Sequence, residues 1–184
     1  MIETLTFVFE LIGTVAFAIS GAMVGLKREM DIFGVTILGL VTSVGGGMIR
    51  DLVLGQTPPM MFRNPIYALA AVIVSVVVFL PFVRGFFRRF QYVYDHLLLI
   101  MDSLGLGIFT VVGVRTAYES GHGGFFLLLF VGVITGVGGG LLRDVMAGQT
   151  PYIFVKHIYA CASLAGAAAC IFLWNFLPGI WAML

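Results

Sequence analysis

The chain has 184 residues, of which 60% are hydrophobic and 10% charged, with a formal net charge of +1. Typical globular chains are roughly 45–50% apolar and about 25% charged, and a particle this small cannot hide so much apolar surface, so the surface must face lipid. The near-neutral charge excludes the basic stripe that nucleic-acid binding needs, and the three histidines and two cysteines show no metal-ligand spacing.

Apolar runs of about 20 residues mark membrane-spanning helices, and six follow one another along a single transmembrane domain, 1–184. The first, Leu5–Leu26, begins after MIETLTFVFE, which has no basic n-region; it reads as a retained helix rather than a signal peptide. Glu10 lies early in it. The second span, Phe33–Leu54, contains Thr42, Ser43, Gly45-Gly46-Gly47 and Arg50-Asp51, and Gly55-Gln56-Thr57-Pro58 follows. The third is Pro65–Val83. A loop over 85–94, within RGFFRRF and the residues after it, carries Phe86, Phe87, Phe90, Tyr92 and Tyr94, an interfacial aromatic belt. The fourth span, Leu97–Ala117, holds Asp102; the fifth, Phe125–Met146, holds Thr135, Gly138-Gly139-Gly140 and Arg143-Asp144, followed by Gly148-Gln149-Thr150-Pro151. The sixth is Ile153–Trp174. Its Cys161 and Cys170 fall on opposite helix faces about 13 Å apart in rise and read as small hydrophobes, not a redox pair. Residues 175–184, LPGIWAML at their end, are a tail or the start of a further helix.

Loop charges set the orientation. Lys27, Arg28, Arg84, Arg88, Arg89 and Lys156 fall on one side and Arg63 and Arg115 on the other. This bias puts the N-terminus outside and the loop at 84–94 in the cytoplasm.

The chain repeats itself. Glu10-Leu-Ile-Gly13 resembles Asp102-Ser-Leu-Gly105, and Phe17-Ala-Ile-Ser-Gly21 resembles Phe109-Thr-Val-Val-Gly113, both at an offset of 92. Ile66-Tyr67-Ala68 matches Ile158-Tyr159-Ala160, and the glycine stretches align at an offset of 93. Residues 1–84 and 95–174 therefore read as two copies of a three-helix unit. An odd helix count inverts the second copy, an arrangement typical of transport proteins with a site at discontinuous helices near the midplane. A membrane scaffold is the purely structural alternative.

Each glycine lowers helix stability by about 1 kcal/mol relative to Ala, so each run predicts a kink or unwound stretch, with close helix packing as the competing reading. An intramembrane charge costs at least about 2.5–3.5 kcal/mol, which sends Arg50, Asp51, Arg143 and Asp144 towards protein or water. Helix neighbours point about 100° apart, so each Arg and its adjacent Asp are expected to find different partners. Two arrangements follow: Arg50 with Asp144 and Arg143 with Asp51, or, slightly favoured, each Arg capping carbonyls freed at its own glycine break. The GQTP segments read chiefly as capped helix ends with a tight turn, against a polar pore mouth. Glu10 and Asp102 are vestibule candidates, or carboxylates answering the helix dipole. Thr42, Ser43 and Thr135 are candidates to line the cavity, though hydroxyls that bond their own helix are commoner. No Ser-His-Asp, HExxH or Walker-type pattern occurs, which argues against an enzyme.

The duplicated GGGxxRD motif followed by GQTP, on the second helix of each three-helix unit, resembles the bacterial homologues of trimeric intracellular cation channels, a domain also labelled a bacterial glycine transporter. The resemblance covers essentially the whole chain. It implies an all-α integral membrane protein of two inverted three-helix repeats, with glycine-broken second and fifth helices and a seventh helix that is absent or truncated here. It also implies a homotrimer in the bacterial inner membrane, surrounded by membrane lipids with a bound lipid among them. Each protomer would carry its own pore for K⁺, and also Na⁺, between the repeats; no cofactor or structural metal is implied. The alternative is a secondary transporter of a small zwitterion such as glycine.

Overall fold

The computed structural model describes residues 2–121, 123–155 and 157–174, apart from the side chains at 2, 3, 87, 88, 157 and 158. Lys156 and the tail at 175–184, to which the sequence assigns an orientation charge and a further helix start, lie outside the described residues. Nine helices run through the described chain: α1 (Ile2–Lys27), α2 (Ile32–Val53), α3 (Met60–Arg63), α4 (Ile66–Phe79), α5 (Pro81–Arg89), α6 (Gln91–Glu119), α7 (Phe125–Met146), α8 (Tyr152–Val155) and α9 (His157–Trp174). No strand occurs among the described residues.

Local chemistry fixes the boundaries. Between α1 and α2 the chain turns through Glu29 at φ 56°, and Asp31 caps α2 by accepting the Gly34 N–H at 2.7 Å. Pro81 lacks an N–H and biases Leu80 away from helix, so α4 ends and a new helix begins with proline in its first turn. This corrects two expectations. The span expected over Pro65–Val83 is an apolar helix of only 14 residues, and the loop expected over 85–94 is helical, shared between α5 and the start of α6. Among the described residues four helices are long and apolar enough to cross a membrane: Thr4–Lys27, Ile32–Val53, Gln91–Glu119 and Phe125–Met146. Ile66–Phe79 and Tyr159–Trp174 are shorter apolar helices.

The glycine runs do not break their helices: α2 and α7 stay helical throughout 32–53 and 125–146. The reason is energetic. Three glycines weaken a helix by about 3 kcal/mol in all, whereas each backbone group left unpaired in an apolar interior costs several. The glycines instead let two backbones touch. A Cβ added to Gly46 would overlap the Thr135 carbonyl oxygen, and one added to Gly139 would overlap that of Thr42. One on Gly138 would meet the Gly46 Cα at 3.1 Å. A Cβ on Gly45 would meet side chains alone, the Leu142 tip first, one on Gly47 would meet Arg50 at 3.8 Å, and one on Gly140 would meet the Tyr159 hydroxyl at 3.5 Å and Arg143 at 3.6 Å. The packing reading of the glycines therefore replaces the unwound one.

Contacts recur in reciprocal pairs around this crossing. Phe17 and Phe109 stack with centroids 5.4 Å apart. A Cβ on Gly105 would run into Phe17, and one on Gly13 would meet Phe109 at 3.1 Å. Gly21 and Gly113 take the hydroxyls of Thr42 and Thr135 against their backbones. The centre of the molecule is thus α1, α2, α6 and α7 held closer than side chains would permit.

Candidate functional site

The end of α2 builds the first cluster. Gly55 adopts φ 70°, and the Gln56 N–H donates to the Asp51 carbonyl at 2.8 Å while the Gly55 N–H donates to Leu52 at 3.1 Å. Those two bonds make a Schellman end, which needs a left-handed residue and so favours glycine. The end of α7 repeats it: Gly148 has φ 65°, Gln149 N–H reaches the Asp144 carbonyl at 3.0 Å and Gly148 N–H reaches Val145 at 3.1 Å. The GQTP segments are therefore capped helix ends. Gly55→Ala is expected to lower stability by about 1–2 kcal/mol through that left-handed backbone. A detergent melting curve unchanged from that of the parent would contradict it.

The aspartates stabilise these turns through their side chains as well. Asp51 accepts the Arg50 Nε–H at 2.8 Å on Oδ1 and the Met60 N–H at 2.7 Å on Oδ2. Asp144 accepts the Arg143 Nε–H at 2.8 Å and Gln149 Nε2–H at 2.9 Å on Oδ1, and the Tyr152 N–H at 2.8 Å on Oδ2. All four charged residues are at most 5% exposed. Both arrangements expected from the sequence are overturned: each Arg pairs with its own neighbouring Asp, neither crossing to the other helix's Asp nor capping a glycine break. The directions of adjacent Cβ atoms diverge, but a guanidinium on three methylenes spans that divergence. No break exists to supply free carbonyls.

Beyond these pairs the two clusters differ. Arg143 also donates through Nη1 to Ser20 at 2.5 Å and to Asp102, and Ser20 donates to Asp102 at 3.0 Å. Asp102 lies well inside α6 and is 5% exposed, so it is neither a vestibule nor a helix-start carboxylate. Glu10 instead accepts the hydroxyl of Tyr67. A cavity of about 50 Å³, room for a water or two, borders Glu10, Thr14, Ser43, Arg50, Asp51 and Tyr67. Thr42 and Thr135 spend their hydroxyls on Leu38 and Val131 carbonyls, both at 2.6 Å, and only Ser43 borders the cavity while bonding Gly39 at 2.8 Å and Thr14 at 3.0 Å. A wider cleft of about 730 Å³ between α6 and α9 is mostly apolar and contains none of the expected site residues.

Ser20, Tyr67 and Arg115 were not among the sequence candidates. Tyr67 had a signal, the repeated Ile-Tyr-Ala at 66–68 and 158–160, whereas a lone serine in an apolar helix had none. Arg115, counted above as a loop charge, lies inside α6, is 7% exposed and pairs with Glu119 at 2.7 Å. Cys161 is exposed and Cys170 buried, both free. Among the described residues no group of three or more His, Cys, Asp or Glu side chains is placed to hold a metal ion.

Comparison with known proteins places these features in context. The family model described as "Glycine transporter" matches twice, over residues 7–82 and 99–175. A UPF0126 membrane protein of Deinococcus radiodurans is 39% identical over 171 residues, 92% of this chain and 75% of the relative. The UPF0126 inner membrane protein YadS of Escherichia coli K12 is 37% identical, over 88% of this chain and 75% of the relative. Among solved structures, the TRIC trimeric intracellular cation channel orthologue from Rhodobacter sphaeroides superposes with a TM-score of 0.88 at 40% identity, over 98% of this chain and 90% of that one. These relatives are channels and membrane proteins rather than enzymes.

Proposed function

The chain is a membrane protein of the family described as "Glycine transporter", to which bacterial TRIC channels are similar across nearly its whole length, and from that premise we propose that it is a cation channel. In this reading K⁺ is the main permeant ion and Na⁺ also passes. Each protomer of a homotrimer has its own path between two inverted repeats. The protein sits in a bacterial inner membrane with the N-terminus outside.

The observation that carries the reading is the charge balance of the two buried clusters. Four carboxylates, Glu10, Asp51, Asp102 and Asp144, face two guanidinium groups, Arg50 and Arg143, and all but the half-buried Glu10 are out of water. With those groups ionised, the region favours a cation entering from either side, while the two arginines keep the field modest enough for the ion to leave. The water-sized cavity at Arg50 gives one end of a hydrated path. At the other end Arg143 joins α1 to α6 through Ser20 and Asp102, so passage there requires that link to open.

The expected result in reconstituted liposomes is unitary current whose reversal potential follows the K⁺ gradient. A reversal potential that follows Cl⁻, or no conductance at all, overturns the proposal. A second reading, a transporter of a small zwitterion, draws on Arg50: it borders the cavity and its bond to Asp51 uses Nε. Saturable glycine uptake without unitary current would select it.

A further inference from the structure

Helix α5 joins the two halves and its chemistry is unlike that of any other helix here. It starts where the apolar α4 stops and ends two residues before α6, one of the four long apolar helices, so it is pinned where the chain leaves and re-enters the apolar region. Its nine residues span about 13 Å. At about 100° per residue, Phe82, Val83 and Phe86 fall on one arc, Arg84 lies opposite it, and Arg89 stands at its edge, about two turns along from Phe82, close enough to the rings to reach the polar side by extending its side chain. Phe82 is 87% exposed and Phe86 45% exposed. Just beyond α5, Phe90 and Tyr92 are exposed as well. Exposed rings together with arginines on one short helix between two apolar segments are the pattern of a helix lying in the membrane interface.

The charge is one-sided. No Asp or Glu occurs between Asp51 and Asp95, a stretch that includes Arg84, Arg88 and Arg89. The nearest carboxylate along the chain, Asp95, is engaged by Lys27 at 3.8 Å and by Gln91 at 3.2 Å. Arg84 packs its guanidinium 5.8 Å from the Phe79 ring. Arg84 and Arg89 therefore have no carboxylate of their own segment to neutralise them.

We propose that α5 lies in the membrane interface as an anionic-phospholipid site, with Phe82 and Phe86 inserted at the acyl boundary and Arg84 and Arg89 on headgroup phosphates. The choice of a lipid surface over a soluble acidic partner rests on position and ring exposure together. A soluble partner would need the rings in water, whereas the interface takes up rings and phosphates at one depth.

The test places a single tryptophan on the apolar arc: Phe86→Trp in the full chain, with Trp174→Phe and Trp181→Phe removing native emission. Vesicles contain either brominated phosphatidylglycerol or brominated phosphatidylcholine. The proposal expects half-maximal quenching by the brominated phosphatidylglycerol at a roughly fivefold lower mole fraction per arginine engaged, and loss of that preference in R84Q/R89Q. Equal quenching by both lipids, or quenching by neither, overturns it. Because the tryptophan exchanges can themselves disturb the fold, native mass spectrometry of the parent chain against R84Q/R89Q gives an independent reading. Preferential retention of phosphatidylglycerol should disappear in the double variant, and unchanged retention overturns the proposal. Neither readout depends on conductance, so channel function and lipid binding can fail separately.

Discussion

Arg143→Met is expected to destabilise the protein by about 3–5 kcal/mol, the largest effect of any single substitution in the charged clusters. The change leaves Asp102 and Asp144, 5% and 2% exposed, without their shared cation. It also removes the donor that joins Ser20 on α1 to Asp102 on α6. Arg50→Met should cost less, because it strands the one carboxylate it bonds, Asp51, rather than two, and Asp51 borders the water-sized cavity. Adding Asp102→Asn to Arg143→Met should recover part of the loss, since one of the two stranded charges is then gone. Thermal unfolding in detergent ranks the three variants. A loss for Arg143→Met no greater than that for Arg50→Met would show that the asymmetry between the clusters carries no energy.

Gly46→Ala and Gly139→Ala should each lower stability by about 1–3 kcal/mol, although alanine is the better helix former. The added methyl meets a backbone carbonyl, of Thr135 or of Thr42, and a carbonyl cannot rotate aside as a side chain can. Gly107→Ala in α6 is the control. A Cβ there meets open space, so the exchange should be neutral or stabilising by up to about 1 kcal/mol. A hinge would give a different signature: altered channel opening with little loss of stability. If Gly46→Ala and Gly107→Ala melt alike, the crossing of α2 and α7 is looser than described.

Much of this molecule is readable from the chain. Composition demands lipid, and the apolar runs locate α1, α2, α6 and α7 to within a few residues of their ends, except the first turns of α6. The duplicated GGGxxRD–GQTP stretch marks the two ends where charge gathers. The third span and the following loop depart from the apolar pattern because Leu80-Pro81 lies inside the apolar run. Hydropathy does not register that proline, yet it ends one helix and starts another.

The sequence by itself determined which residues had to be buried together: charged groups in apolar helices must find one another, whatever the fold. It also determined the helix ends, because glycine and proline act on their own backbone. Only the tertiary structure decided what the glycines do and which carboxylate each arginine holds. Consecutive glycines weaken an isolated helix and allow a close crossing at once, and the choice depends on whether a second backbone arrives. Here α7 arrives against α2, and both helices stay whole. Likewise Arg143 reaches Asp102, 41 positions away in the chain, because α6 packs beside α7, a proximity that no local spacing encodes.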